Sequence, residues 1–177
     1  MPQAGGSQLL STLLYFVLLF LAAIVAVVGS VLIISFMTGK GLREKREIVQ
    51  RHNIGTAVVL GAFIWTIGRI CLETVKPMMN VWYSNYAGGI TLAKALLFSL
   101  GVIGALLIAL VVGALVVFLA LKLLMIITRD IDEWKEVQEG NMAVAVVIGV
   151  TVIVVGMFFE SIISFVTISL FTTLKLI

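Results

Sequence analysis

The chain has 177 residues, of which 62% are hydrophobic and 12% are charged, and its formal net charge is +3. Because water-soluble domains carry about 25% charged residues, this composition excludes an ordinary soluble globule and favours an integral membrane protein. The small net charge gives no indication of a nucleic-acid partner. A single cysteine and a single histidine exclude an internal disulfide and a multi-histidine metal site.

Four apolar runs are long enough to cross the hydrocarbon layer of a bilayer, which takes about 20 helical residues. They span approximately residues 9–37, 54–72, 91–127 and 142–163. The first run is longer than the core of a signal peptide, so we predict that it is a retained membrane helix. The tail, residues 164–177, either extends the fourth helix or lies on the membrane surface.

Three connections separate these predicted helices: Thr38–Asn53 is basic, Glu73–Ile90 contains Pro77, and Thr128–Gly140 is acidic. The first and third connections lie on the same side of the membrane and together carry seven Lys and Arg residues. Since cytoplasmic loops carry the excess of positive charge, we expect both connections inside and both termini outside. The acidic connection also has the pattern of a short helix that leads into the fourth span.

An internal repeat appears when residues 49–68 are compared with residues 137–156, a shift of 88 positions. Eight of the 20 positions are identical, including one Asn and two Gly. We therefore predict an all-α membrane protein with four transmembrane helices, formed by two tandem parallel two-helix repeats at 1–89 and 90–177. The expected relation between the repeats is a pseudo-two-fold axis along the membrane normal.

The repeated pattern places small residues and one Asn within an arc of about 80° on the second and fourth helices. The third helix has a similar stripe, and small residues let helix backbones approach closely in lipid. We predict helix packing for the Ala and Gly residues of these three faces. They are Ala57, Gly61 and Gly68, then Gly101, Ala105, Ala109 and Gly113, and finally Ala145, Gly149 and Gly156.

A second hypothesis assigns the polar residues of these helices to a path for ions or small solutes. Its candidates are Asn53 and Asn141 at the inner mouth, with Arg69, Glu73 and Glu160 further out. Ionisable residues in membrane helices often mark such paths. The alternative is that these charged residues anchor their helices at the outer interface. Glu73 and Glu160 lie about 28–30 Å from the two Asn residues, near the outer headgroups, and Arg69 is one turn further in, from where its long side chain can reach the same level.

The repeated connections differ in the sign of their charges. Under the shift of 88 positions, Lys45 corresponds to Glu133, Glu47 to Lys135, and Arg51 to Glu139. The two connections either pair, within a chain or between subunits, or remain two independently solvated loops.

No motif for catalysis, metal binding or phosphate binding occurs in the sequence, so we expect no enzyme activity and no cofactor. The stretch 131–149, which contains Gly140, Asn141, Ala143 and Ala145, resembles the signature of a bacterial family of small membrane proteins. This is the domain of unknown function 350 family, which includes the YjfL-like and YshE-like proteins. The resemblance implies a duplicated two-helix unit in the inner (plasma) membrane.

Two functions therefore stay open from the sequence. The chain is either an oligomeric pore or transporter component for ions or small solutes, or a non-conducting structural or accessory subunit of a membrane complex. Both imply the lipid bilayer as surroundings, and either further copies of the chain or other membrane subunits as partners.

Overall fold

A computed structural model describes residues 4–38, 53–86, 91–129 and 132–173. Within these ranges every regular element is an α-helix. The five helices are α1 (Ala4–Thr38), α2 (Ile54–Tyr86), α3 (Leu92–Ile127), α4 (Glu133–Gln138) and α5 (Met142–Thr173).

Four of these helices are long and apolar enough to cross a membrane, which confirms the predicted number of spans. The candidate spans are Thr12–Ile33, Ile54–Tyr83, Leu92–Ile127 and Met142–Thr173. Large apolar side chains cover their outward faces; Leu92 and Phe158, for example, are 78% and 75% exposed. In a bilayer such faces meet lipid tails. The three longer spans exceed the roughly 20 residues that a bilayer needs, so they tilt or protrude.

The predicted connection Glu73–Ile90 is wrong over most of its length, because α2 continues through Pro77 to Tyr86. Proline lacks the backbone N–H that would bond to the carbonyl of Glu73. Ending the helix there would free further backbone groups, which apolar surroundings do not satisfy. The residues beyond Pro77 are also held by packing, since Met78, Met79 and Val81 are almost fully buried.

The apolar tail is likewise helical, because α5 runs on to Thr173. Of the two alternatives for this tail, the structure therefore shows the extension of the fourth span for residues 164–173.

The most buried of the four long helices is α2, and the other three pack around it. Gly68 of α2 lies against Ala26 of α1, with 3.7 Å between the Ala26 Cβ and the position that a Cβ of Gly68 would take. On another side of α2, Ile67 packs over Gly113 of α3. The third neighbour of α2 is α5, and their contact contains the ion pair between Arg69 and Glu160.

At the end of the bundle where α2 and α5 finish and α3 begins, three aromatic rings form a cluster. The ring centroids of Trp82 and Phe98 are 5.4 Å apart, and those of Phe98 and Phe171 are 6.1 Å apart. These distances suit attractive tilted contacts between aromatic rings. The cluster connects α2, α3 and α5 at this end.

The short helix predicted in the acidic connection is present as α4. Its N-cap is Asp132, whose side chain accepts a hydrogen bond from the backbone N–H of Lys135. At its other end Gly140 has a φ of +96°, which a residue with a side chain rarely adopts. This conformation lets the N–H of Asn141 bond to the carbonyl of Glu136 and turns the chain into α5.

Candidate functional site

The contact between α2 and α5 joins small residues on both helices. Gly55 lies beside Ala145, with 3.4 Å between the Ala145 Cβ and the position that a Cβ of Gly55 would take. One to two turns further, a Cβ of Gly149 would lie 3.3 Å from the Cβ of Ala62. Since the contacting residues advance together along both helices, α2 and α5 run parallel.

Two turns beyond Gly149, Gly156 of α5 faces Thr66 of α2. A methyl group on Gly156 would overlap the Thr66 Cγ2 atom. Thr66 is 2% exposed, and its hydroxyl oxygen has no hydrogen-bond partner within the described part of the chain. This position therefore contributes close packing rather than a polar link between the helices.

An ion pair follows at the next turn. The guanidinium of Arg69 donates from Nε to Glu160 Oε1 at 3.1 Å and from Nη2 to Glu160 Oε2 at 2.7 Å. This two-pronged geometry is the strong form of an arginine–carboxylate pair. The Glu160 side chain is 17% exposed, but that of Arg69 is 40% exposed. One flank of the pair is thus left open at the surface of the chain.

The pair lies near the middle of both helices rather than near their ends. Arg69 is close to the midpoint of the candidate span Ile54–Tyr83, and Glu160 is close to that of Met142–Thr173. The predicted helix ends near Glu73 and Glu160 are wrong, because each of these residues is followed by 13 more helical residues. Glu73 itself pairs with Lys76 at 2.5 Å, one turn further along α2.

Asn53 caps the start of α2 and connects it to α4. Its Oδ1 accepts a hydrogen bond from the N–H of Thr56, which is the N-cap geometry. Its Nδ2 donates to the carbonyl oxygens of Val137 and Gln138 at 3.0 and 2.9 Å. Both the oxygen and the nitrogen of this side-chain amide therefore have hydrogen-bond partners.

Asn141 has the corresponding position at the start of α5. Its Oδ1 accepts from the N–H groups of Ala143 and Val144, and its Nδ2 donates to Glu136 Oε2 at 2.8 Å. Both Asn residues that the sequence assigns to the mouth of a path thus serve as helix caps with bonded side chains. The structure brings them to the same end of the α2–α5 contact.

The predicted packing residues differ in their surroundings. Those of α3 and α5 are buried: Gly101, Ala105, Ala109, Gly113, Ala145, Gly149 and Gly156. Gly68 of α2 is half-buried against α1. The other two residues of the α2 face, Ala57 and Gly61, are exposed, and a Cβ on Gly61 would meet no atom within 4 Å.

The repeated face is therefore used differently by α2 and α5. The face of α5 that contains Ala145, Gly149 and Gly156 packs on Gly55, Ala62 and Thr66, which belong to another face of α2. A two-fold axis between the two helices would instead join residues at matching positions. The matching residues of α2, Ala57 and Gly61, are exposed and lie outside this contact.

The predicted pairing between the inner connections falls partly outside the described residues, since Lys45, Glu47 and Arg51 lie in the range 39–52. On the described side, Lys135 and Glu139 approach each other at 3.8 Å along one exposed face of α4. Glu133 accepts a hydrogen bond from the Thr128 hydroxyl, which ties α4 back to the end of α3.

Sequence reasoning missed the α2 side of this contact, namely Gly55, Ala62 and Thr66, because these residues do not recur at the positions 88 residues further along the chain. It also treated Arg69 and Glu160 separately and did not pair them. Their spacing from the two caps contains a usable signal. Arg69 is 16 residues after Asn53 and Glu160 is 19 after Asn141, so two parallel helices with adjacent starts bring them to within one turn in height.

A family model described as Domain of Unknown Function (DUF350) matches residues 7–163 of the chain. The chain belongs to this family. No curated protein and no solved structure matches it. The DUF350 match includes both Asn caps and the whole α2–α5 contact as far as the ion pair. These features therefore lie within the family domain.

The chemistry that this DUF350 site offers is electrostatic. Among the residues that the structure describes, no group of three or more His, Cys, Asp or Glu side chains is placed to hold a metal ion. What the contact provides is one guanidinium and one carboxylate that neutralise each other within two apolar helices. Around them lies close packing that depends on small residues.

Proposed function

We propose that this DUF350 chain is a non-conducting structural or accessory subunit of a membrane complex. The observation that carries the proposal is the direct contact of α2 with α5, from Gly55 and Ala145 to Arg69 and Glu160. These are the two helices that a path would have to separate. Water between them would require the loss of both the small-residue contacts and the ion pair.

The polar side chains support the same function. Asn53 and Asn141 are engaged as helix caps, and Arg69 and Glu160 bond to each other. A conducting path would need such groups to exchange partners with a passing ion. Here each exchange would leave a helix end uncapped or a charge unpaired in the membrane, and both cost free energy.

Flux through liposomes that contain the purified chain tests the proposal. We expect no flux of sodium, potassium, chloride or protons above that of protein-free liposomes. The wild type and the variants Asn141→Leu and Glu160→Gln should behave alike, and a channel-forming peptide serves as the positive control. A purified chain that binds no partner and conducts one of these ions selectively would overturn the proposal.

A second candidate, an oligomeric pore between chains, is favoured by one observation. The Arg69 side chain is 40% exposed near the middle of its span, where a charge facing lipid is costly and often marks a hydrated path. Such a path would run outside the α2–α5 contact. The same flux assay, repeated on covalently cross-linked oligomers, separates this candidate from the first.

A further inference from the structure

A groove lies along one side of the α2–α5 contact, with a volume of about 310 Å³. Its walls include Val58, Gly61 and Trp65 of α2 and Val146, Val150 and Ile153 of α5; we call it the α2–α5 groove. Trp65 and Val150 are 60% and 55% exposed. The opposite side of the contact is covered by α3, which meets α2 at Ile67.

The ion pair lies at the end of this groove. Arg69 is four residues after Trp65, and Glu160 is seven residues after Ile153, so both lie on the groove side of their helices within about 40° of those residues. The exposed flank of Arg69 therefore continues the groove. A partner that covers the groove in the membrane must therefore be apolar along most of its length. At the depth of the Arg69–Glu160 pair it must have charged groups.

We propose that a second copy of the chain covers the α2–α5 groove, related to the first by a two-fold axis along the membrane normal. This inference rests on the proposed function, because it names a second copy of the chain as one partner of the structural subunit. A two-fold rotation places α2 of each copy opposite α5 of the other. Because Arg69 and Glu160 are bonded within a chain, they lie at the same depth in the membrane.

Charge complementarity follows from this symmetry. Each Arg69 faces Glu160 of the second copy, so four charges alternate in sign around the axis. Every guanidinium then has a carboxylate on both sides, and the exposed flank of Arg69 no longer meets lipid. A lipid tail would fill the apolar part of the groove but would leave this flank in hydrocarbon, which is costly.

The apolar part of the groove is complementary in shape as well. The same rotation brings Gly61, where a Cβ would meet no atom within 4 Å, opposite Val150 of the second copy. Gly61 and Val150 lie at similar depth, because their neighbours Ala62 and Gly149 touch within the chain. A branched side chain opposite an open glycine permits the close approach on which helix association in lipid depends.

Disulfide cross-linking in liposomes tests the arrangement, in a Cys71→Ala background that removes the native thiol. One tagged chain has Gly61→Cys and the other has Val150→Cys. Mild oxidation should give a covalent dimer when the two chains are mixed. The control pair combines Gly61→Cys with Phe158→Cys, which lies on the far side of α5 and should give no product.

A charge-swapped chain provides the sharper test. The double variant Arg69→Glu with Glu160→Arg keeps the ion pair within each chain. In a dimer of two such variant chains, the four charges still alternate in sign around the axis. Mixed with the wild type, it would place like charges opposite each other in the heterodimer. We expect the two chains to form homodimers and fewer heterodimers than random pairing gives, as counted by two-colour single-molecule imaging.

Two further variants keep the inference falsifiable. Gly61→Leu fills the open space and should shift the chain to the monomer with its melting temperature retained, whereas Ala93→Leu, on an exposed face of α3, should stay dimeric. The inference is overturned if the wild-type chain is monomeric in liposomes. It is also overturned if the chain forms dimers that show neither the disulfide between positions 61 and 150 nor sorting of charge-swapped from wild-type chains. A non-conducting monomer would sink this inference alone, whereas selective flux through the monomer would sink the proposed function.

Discussion

Gly156 is the residue on which the approach of α2 and α5 depends most directly, because its missing side chain is where the Thr66 methyl group lies. Adding a methyl group in Gly156→Ala forces Thr66 or a helix to move. Overpacking of this kind typically costs about 1–3 kcal/mol of unfolding free energy. We expect that loss in a denaturation series in mixed micelles.

Two companion variants make this measurement specific. Thr66→Ser removes the Cγ2 atom that the new methyl group would meet, so Thr66→Ser with Gly156→Ala should recover most of the loss. Gly61→Ala is the control at a helical glycine that has open space where a Cβ would lie, and it should be neutral, or stabilising by roughly 0.4–1 kcal/mol, in the detergent-solubilised monomer. Additive effects of the two substitutions at 66 and 156 would show that the residues do not pack as described.

The same residues show how far the sequence alone reaches at this scale. The repeat singled out Ala145, Gly149 and Gly156, and the structure buries all three. Their partners on α2 could not be found by that route, because the contact joins two unlike faces. A repeat reports which positions are alike; it does not report which unlike positions meet.

At the scale of whole helices, hydropathy predicted the four spans well but misplaced the ends of α2 and α5. Pro77 and the charged residues near it are ordinary signs of a helix end. Here the helix continues, because Met78, Met79 and Val81 bury their side chains against neighbouring helices. That contribution comes from the tertiary structure, so a window of local sequence does not contain it.

The link between α2 and α4 permits a test at the same scale. In Asn53→Asp the side chain still caps α2, because a carboxylate oxygen can accept from the Thr56 N–H. The two bonds to Val137 and Gln138 are lost, however, and the new carboxylate faces two carbonyl oxygens. We expect faster amide hydrogen exchange in α4, measured by mass spectrometry, with unchanged exchange in the first turn of α2.

Asn53→Ser serves as the control for that experiment, since it keeps a capping oxygen and adds no charge. It should accelerate exchange in α4 less than Asn53→Asp does. Equal protection of α4 in the wild type and both variants would contradict the assigned role of Asn53 in holding α4.

At the scale of the molecule, the structure turns separate sequence features into one arrangement. The capping bonds of Asn53 place the end of the first connection beside the end of α4, so the first and third connections lie at the same end of the bundle. In the sequence, these two connections contain seven of the twelve Lys and Arg residues. The fold therefore places the first and third connections on the same side, as the number of spans predicts. Because positive charge is retained in the cytoplasm, the Lys and Arg residues of these connections predict that this side is cytoplasmic.

Labelling with a membrane-impermeant maleimide tests that orientation in a Cys71→Ala background. Thr91→Cys, at the start of α3, should react in intact bacterial cells, whereas Glu139→Cys, at the end of α4, should react only in inside-out vesicles. Both positions are exposed, and the long helix α3 separates them. The Cys71→Ala chain without an added cysteine should not react in either preparation.

A reversed pattern would overturn the orientation and leave the fold unchanged, because the fold fixes only that the two positions lie at opposite ends. Labelling of both positions from one side would instead contradict α3 as a membrane span, and with it the depth at which the Arg69–Glu160 pair is placed.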